Sequence, residues 1–233
     1  MKSFSHRWFK NINEIDQAQW HAFFGDEPFT QHAFLYALEQ SQCVTQQSGW
    51  QPYHLAVYEG SNLIALAPGY VKSHSYGEYV FDWAWAEAYE KNGLHYYPKW
   101  LSGVPFSPIE GKRIAIHHTN HTAVYNYITE QLCTHSIEQG WSGWHINFCD
   151  QTQATLLTKQ QAMLREGVQF QWFNKGFDTF DDFLTTLNSR KRRSLKKERA
   201  KITHQNIIIE WLKGSDVTPE IMQLFCEFYQ RTY

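Results

Sequence analysis

The chain has 233 residues, 42% hydrophobic and 19% charged, which suits one large globular domain or two small ones and excludes a disordered chain. Aromatic residues make up 17%, with ten Trp and thirteen Tyr, so large buried rings and an aromatic-lined pocket are expected. The formal net charge of -2 hides a local asymmetry that is taken up below. In chain order, Glu14 to Phe24 carries Ile15, Trp20, Phe23 and Phe24 at helical spacing, and Phe34, Leu35 and Leu38 mark a second helix ending before Gly49. Tyr53 to Tyr58 alternates as a strand. A turn at Glu59 to Asn62 and a return strand from Leu63 to Val71 complete a hairpin. Trp83 to Lys91 reads as a helix stopped by Gly93, and Tyr96 to Gly111, with three prolines, as loops around a short strand. A strand at Arg113 to His117, a helix from Thr122 to Gln139, a strand at Trp144 to Cys149 and a helix from Thr152 to Leu164 follow. The last part offers a strand at Val168 to Phe173, a basic helix, a strand at Ile207 to Leu212 and a helix from Val217 onward.

This order predicts an α/β or α+β fold with a mixed sheet flanked by helices. Neither the GxGxxG of a dinucleotide fold nor the GxxxxGK of a P-loop occurs. Cys43, Cys133, Cys149 and Cys226 are scattered, with no CxxC pair and no zinc-finger spacing, so reduced thiols and a cytoplasmic location are expected. No apolar run follows Lys2 and Arg7 as a signal peptide would require. The longest apolar run, Leu63 to Val71, contains Pro68 and Gly69 and is too short to cross a bilayer. The chain stops inside a helical pattern at Phe228 to Tyr233, which reads as a chain interrupted within its second half.

Two stretches carry chemistry. From Ser73 to Phe106, carboxylates, phenols, a histidine and a lysine interleave with rings. Such a wall can hold an amine nucleophile and take its proton, with Glu78 or Asp82 as general base, because burial beside rings raises a carboxylate pKa. The plainer reading is an aromatic core with charges at its rim. His117, His118 and His121 form an HHxxH without a supporting carboxylate, so no metal site is expected. Cys149 lies in no nucleophile elbow and reads as a buried thiol.

The second stretch runs from Asn188 to Ile202. Eight of the 21 Lys and Arg residues lie between Arg190 and Lys201, leaving 13 basic against 22 acidic residues elsewhere. One helix is expected, led by Asp181 and Asp182, with Leu184, Leu187, Leu195 and Ile202 along a thin apolar stripe. Its cations suit a phosphate-bearing partner such as a nucleotide, coenzyme A or tRNA. A solvated helix face is the bland alternative. DNA reading is not expected, because neither zipper heptads nor a stacking platform accompanies the helix.

Several segments together resemble the bacterial FemAB-like proteins of the GNAT acyltransferase superfamily. They are His74 to Trp85, Tyr96-Tyr97-Pro98-Lys99, Val104 to Pro108, Gln169 to Asn174 with Gly176, and Phe180 to Leu184 running into Arg190 to Arg193. The basic helix resembles the one that opens the second acyltransferase unit in FemAB-type enzymes. The resemblance implies a GNAT-like fold in residues 1–175 and the beginning of a second, truncated GNAT-like unit in residues 176–233. It also implies acyl or aminoacyl transfer from a thioester or ester to an amine, on a small molecule or cell-wall precursor. The pyrophosphate loop usual in GNAT proteins, Arg/Gln-x-x-Gly-x-Gly/Ala, is not in this sequence, so the donor implied is either acyl-CoA or an aminoacyl-tRNA. On this reading Glu78 or Asp82 is the base. Tyr76, Tyr96, Tyr97, Lys99 and Phe106 line the acceptor site, and Arg190, Arg192, Arg193 and Lys196 hold phosphate. The competing expectation is a non-catalytic module that binds a nucleotide-linked precursor or tRNA. A homodimer is compatible with either.

Overall fold

The computed structural model describes residues 3–205 and 207–232. They form two compact units divided between Glu166 and Gly167. The first contains the strands β1 (Phe4–Phe9), β2 (Trp50–Pro52), β3 (His54–Glu59), β4 (Asn62–Ala67), β5 (Tyr70–Lys72), β6 (Lys99–Ser102), β7 (Ala115–Ile116) and β8 (Trp144–Ile146). Its helices are α1 (Gln17–Phe24), α2 (His32–Gln40), α3 (Trp83–Lys91), α4 (His121–Gln139) and α5 (Gln151–Thr158). The mixed α/β expectation holds, with the strands sorted into two sheets, β1-β3-β4-β7 and β2-β5-β6-β8.

The first sheet is antiparallel throughout. Its β3 is buried on both faces, which explains a nearly unbroken apolar run. Leu55 and Val57 pack towards Val124, Ile128 and Leu132 of α4. Between them Ala56 turns to the other side, with Trp20, Phe23 and Phe24 of α1 and Leu35 of α2. The hairpin read from the sequence continues beyond this sheet. Its outer halves, β2 and β5, pair in the second sheet, and Tyr53 N–H donates to Gly69 O at 2.7 Å where the arms cross over. Gly69 has no room for a side chain, since a Cβ would lie 2.3 Å from the Trp100 ring. A buried pair fixes the same crossing. Gly69 N–H donates to His54 Nδ1 at 3.1 Å, so His54 Nε2 carries the proton it gives to Glu39, also at 3.1 Å.

Several elements differ from expectation. β1 was not read from the sequence, although Phe4–Phe9 pairs along its length with β3. α5 ends at Thr158 instead of running on to Leu164. Val168 to Phe173, which alternates, and the apolar Ile207 to Leu212 were both expected as strands but form none, because no partner strand supplies a ladder among the described residues.

The second unit holds α6 (Phe180–Thr185), α7 (Ser189–His204) and α8 (Pro219–Thr232). The single basic helix expected from Asp181 onward is two helices. Thr179 and Asp182 form a capping box at α6, and the Asn188 side chain accepts from Lys191 N–H at 2.9 Å to start α7 afresh.

Candidate active site

The second sheet has two unlike faces. Trp100, Trp144 and Ile146 pack towards α4. Alternation along the strands, with Lys72 opposite Lys99 and Leu101 opposite His145, gathers Tyr70, Lys72, Lys99, Leu101 and His145 on the other face. Residues 73–82 lie between β5 and α3 and roof this charged end.

Beneath the roof the side chains of Lys99, Glu78 and Asp82 have no exposed surface. Lys99 Nζ lies 2.6 Å from Asp82 Oδ2 and 3.0 Å from Glu78 Oε2. Tyr96 OH also donates to Asp82 Oδ2, at 2.7 Å. Ser75 Oγ donates to Asp82 Oδ1 and bonds Tyr97 OH. The Asp82 carboxylate is thus met by three protein donors. Glu78 differs: Lys99 is 3.0 Å from Oε2, and no uncharged donor among the described residues meets either oxygen. Lys72, also without exposed surface, donates to Tyr76 O at 3.2 Å, with its ammonium 3.7 Å from the centroid of the Trp50 ring.

These environments separate the titrations. Burial alone would raise Asp82, but hydrogen bonds from Lys99, Ser75 and Tyr96 outweigh it and bring the group to about 2. Burial raises Glu78 above the usual carboxylate value, against the pull of Lys99. Burial lowers Lys72 to about 7. Burial, reinforced by Lys99, lowers His145 to about 4, and burial pushes Tyr97 up to about 12. Two carboxylates four residues apart therefore have opposed shifts, a pattern found where one group holds charge and another moves protons.

The end of β6 adds a second feature. β6 and β8 run parallel, and Asn147 N–H donates to Ser102 O at 2.9 Å. Beyond this point β6 leaves its neighbour and Gly111 takes its place beside Cys149. Arg113, buried, donates through Nε to Asn147 O at 2.9 Å and occupies the carbonyl that would continue the ladder. Among the described residues, the backbone N–H groups of Gly103 and Val104 make no hydrogen bond, although both residues are buried. Phe106 N–H donates to Gly77 O at 3.2 Å and ties this segment to the roof.

Of the residues singled out in the sequence, Glu78, Asp82, Tyr96, Tyr97 and Lys99 come together in this network. Tyr76 and Phe106 lie on the outer side of the roof. Lys72, Ser75, His145 and Arg113 were not anticipated. Lys72 and His145 share the Lys99 face by strand alternation, a signal that becomes readable only once the register is known. His117 stacks on Phe23 at 4.2 Å and His118 faces Glu59 at 3.7 Å, so the HHxxH side chains serve separate contacts. A cleft of about 550 Å³ lies elsewhere, between α1 and α2, lined by Asp16, His21, Asp26 and His32.

The basic helix α7 divides by face. Arg192 donates to Leu184 O and Leu187 O at 3.0 Å and to Thr185 O at 3.1 Å, which caps α6. Lys196 pairs with Asp181 at 3.0 Å, and Arg199 lies 4.2 Å from the centroid of the Phe180 ring. Arg190, Arg193, Lys197 and Lys201 occupy the opposite face by helical spacing.

A family model named FemAB-like and described as peptidoglycan biosynthesis/recognition matches residues 11–233. No curated protein matches the chain. Among solved structures, a ribosomal-protein-alanine N-acetyltransferase from Brucella melitensis biovar Abortus 2308 aligns with a TM-score of 0.43 and 12% identity, covering 74% of this chain and 100% of that one.

Proposed function

The chain belongs to the FemAB-like family, and from that premise we propose that it is an N-acyltransferase moving an acyl or aminoacyl group from a thioester or ester to an amine. The observation that carries this reading is the pair of backbone N–H groups at Gly103 and Val104, which have no hydrogen-bond partner among the described residues where β6 parts from β8. Such donors suit a developing oxyanion. In the proposed step the neutral amine forms a bond to the donor carbonyl carbon, and the carbonyl electron pair moves to oxygen, facing these two groups. Glu78 takes the amine proton, since burial raises its pKa while Lys99, 3.0 Å away, steadies its ionised form. The C–S or C–O bond then breaks, and the leaving sulfur or oxygen takes up the proton that Glu78 received, which returns Glu78 to its ionised form. Asp82 stays ionised and fixes Lys99, Ser75 and Tyr96, while Tyr97 stands at the edge of the acceptor site. Positioning supplies much of the acceleration.

For the second unit taken by itself, we propose that α7 binds a phosphate-bearing ligand such as coenzyme A or an aminoacyl-tRNA. Arg190 and Arg193 are the better-placed members of the original four, because Arg192 and Lys196 already hold α6. The test is release of free thiol or loss of ester from a panel of acyl-CoA and aminoacyl donors, with and without amines. Glu78→Gln should lower turnover without changing the fold, and unchanged turnover would remove Glu78 from the mechanism.

A second reading, a non-catalytic binding module, is favoured by one observation: the side chains of Glu78 and Asp82 are sealed beneath the roof. Turnover of any donor in the panel would exclude it. Catalysis by Glu78 requires the roof to lift.

A further inference from the structure

The fork between β6 and β8 holds a side-chain donor that no bond in the fold uses. Asn147, the residue after β8, is 8% exposed, yet its Nδ2 is buried without a hydrogen-bond partner among the described residues. A buried amide left unpaired is costly, and folded proteins keep few of them. Slack in the backbone does not explain it. Asn147 N–H donates to Ser102 O at 2.9 Å, and Asn147 O accepts from Arg113 Nε at 2.9 Å. The next residue, Phe148, has φ of 52°, in the left-handed region that bulky residues avoid, and its O accepts from Gly111 N–H at 3.0 Å. Backbone held in this way gathers at functional sites. The carboxamide is the unspent end of an otherwise fixed residue.

A glycine stands beside it for no reason internal to the fold. The register that sets Leu101 opposite His145 brings Gly103 opposite Asn147, on the sheet face that carries Lys99. Gly69 and Gly77 are glycine because a Cβ would strike a ring. At Gly103 a Cβ would meet nothing closer than Asn147 Cβ at 3.7 Å, an ordinary contact, and the backbone is not left-handed. Alanine would fit. Glycine at a strand end without such a need leaves room for something that approaches the backbone closely. Asn147 borders that room.

The two features select one occupant. The Nδ2 group of an asparagine only donates, so the atom it receives carries lone pairs, as a carbonyl oxygen does. A neutral donor fixed in advance suits charge that appears only during reaction. We propose that Asn147 is a catalytic residue of acyl transfer, its side-chain amide donating to the carbonyl oxygen of the acyl donor beside Gly103. As the amine nitrogen bonds to the carbonyl carbon, the carbonyl electron pair moves onto this oxygen. The pair returns when the C–S or C–O bond breaks, and the Asn147 amide keeps its proton throughout. This role rests on the acyl-transfer reading and deepens it, adding a side chain to the backbone N–H groups of Gly103 and Val104.

The test uses the full chain and two small changes. Asn147→Asp replaces the donor by an oxygen of similar size, and Gly103→Ala fills the room. With any acyl-CoA or aminoacyl donor that the wild type turns over, Asn147→Asp should lower kcat roughly 100- to 1000-fold at an unchanged thermal melt. KM should move far less, and Gly103→Ala should also lower kcat. A readout apart from turnover is titration of the wild type with S-acetyl-N-acetylcysteamine, a small thioester. The side-chain amide resonances of Asn147, followed by 1H–15N NMR, should move saturably. An unchanged kcat in Asn147→Asp overturns the role and leaves acyl transfer standing. A loss confined to KM assigns Asn147 to ground-state binding and overturns the catalytic role. Turnover of no donor sinks the acyl-transfer reading. The oxygen site at Asn147 then stands if the thioester moves its resonances and falls if it does not. If Asn147→Asp does not fold, either an unchanged kcat in Gly103→Ala or unmoved Asn147 resonances in the wild type overturns the proposal.

Discussion

Lys72 and Lys99 face one another across β5 and β6, two lysines in register, each without exposed surface. Like charges opposite one another destabilise a sheet. Here Lys99 is held by two carboxylates, while Lys72 rests on a ring and a carbonyl. The two lysines should therefore respond differently to removal.

Lys99→Met leaves Asp82 buried with no cation, and should cost about 3–5 kcal/mol of stability. Adding Asp82→Leu to it should recover part of that loss, because the stranded charge is gone. Urea denaturation of the two variants checks this. A double variant no more stable than Lys99→Met would mean that the carboxylate is not the source of the cost.

Lys72→Met should alter the pH dependence of stability. The folded value of Lys72, about 7, lies below its ordinary 10.5, so the fold favours the neutral amine. Its contribution is complete above pH 10.5 and is lost as the pH falls through about 7. The wild type should gain stability between pH 7 and 10 relative to Lys72→Met. Parallel stability curves for the two proteins over that range would refute the assignment.

Gly77→Ala tests the seam between roof and strand end. Gly77 has φ of 78°, and a Cβ there would lie 2.7 Å from the Phe106 ring. A loss of about 1–3 kcal/mol is expected from backbone strain and crowding together. The same variant should perturb the fluorescence of Trp50, which donates to the neighbouring Tyr76 O at 3.1 Å.

In the second unit, Arg192→Ala should lower helicity, because three carbonyls at the end of α6 lose their donor. About 1–2 kcal/mol is expected. Arg190→Ala, on the opposite face, should leave the thermal melt followed by circular dichroism unchanged within about 0.5 kcal/mol.

Helix and hairpin signals were plain in the sequence where periodicity was regular, as at Trp20, Phe23 and Phe24 in α1 and in the turn from Glu59 to Asn62, whereas the caps at Asp16 and Asn120 were not read. Pairing was not plain. Phe4–Phe9 became a strand because β3 offered an edge, while the more apolar Ile207 to Leu212 found none among the described residues. Interleaved rings and charges marked Glu78, Asp82 and Lys99. The contribution of Lys72 depends on the register of β5 against β6, which no local pattern encodes. The division of α7 depended on the break at Asn188, which turns Arg192 back towards the end of α6.

The hairpin that passes from one sheet into the other makes the first unit hard to open piecemeal. Its arms cross once, at Tyr53 and Gly69, and His54 and Glu39 lock that crossing. Slow-exchanging amide protons in β3 and β6, which belong to different sheets, should share one opening free energy. The two halves then breathe together or not at all. The freedom needed to admit a substrate must come from the roof.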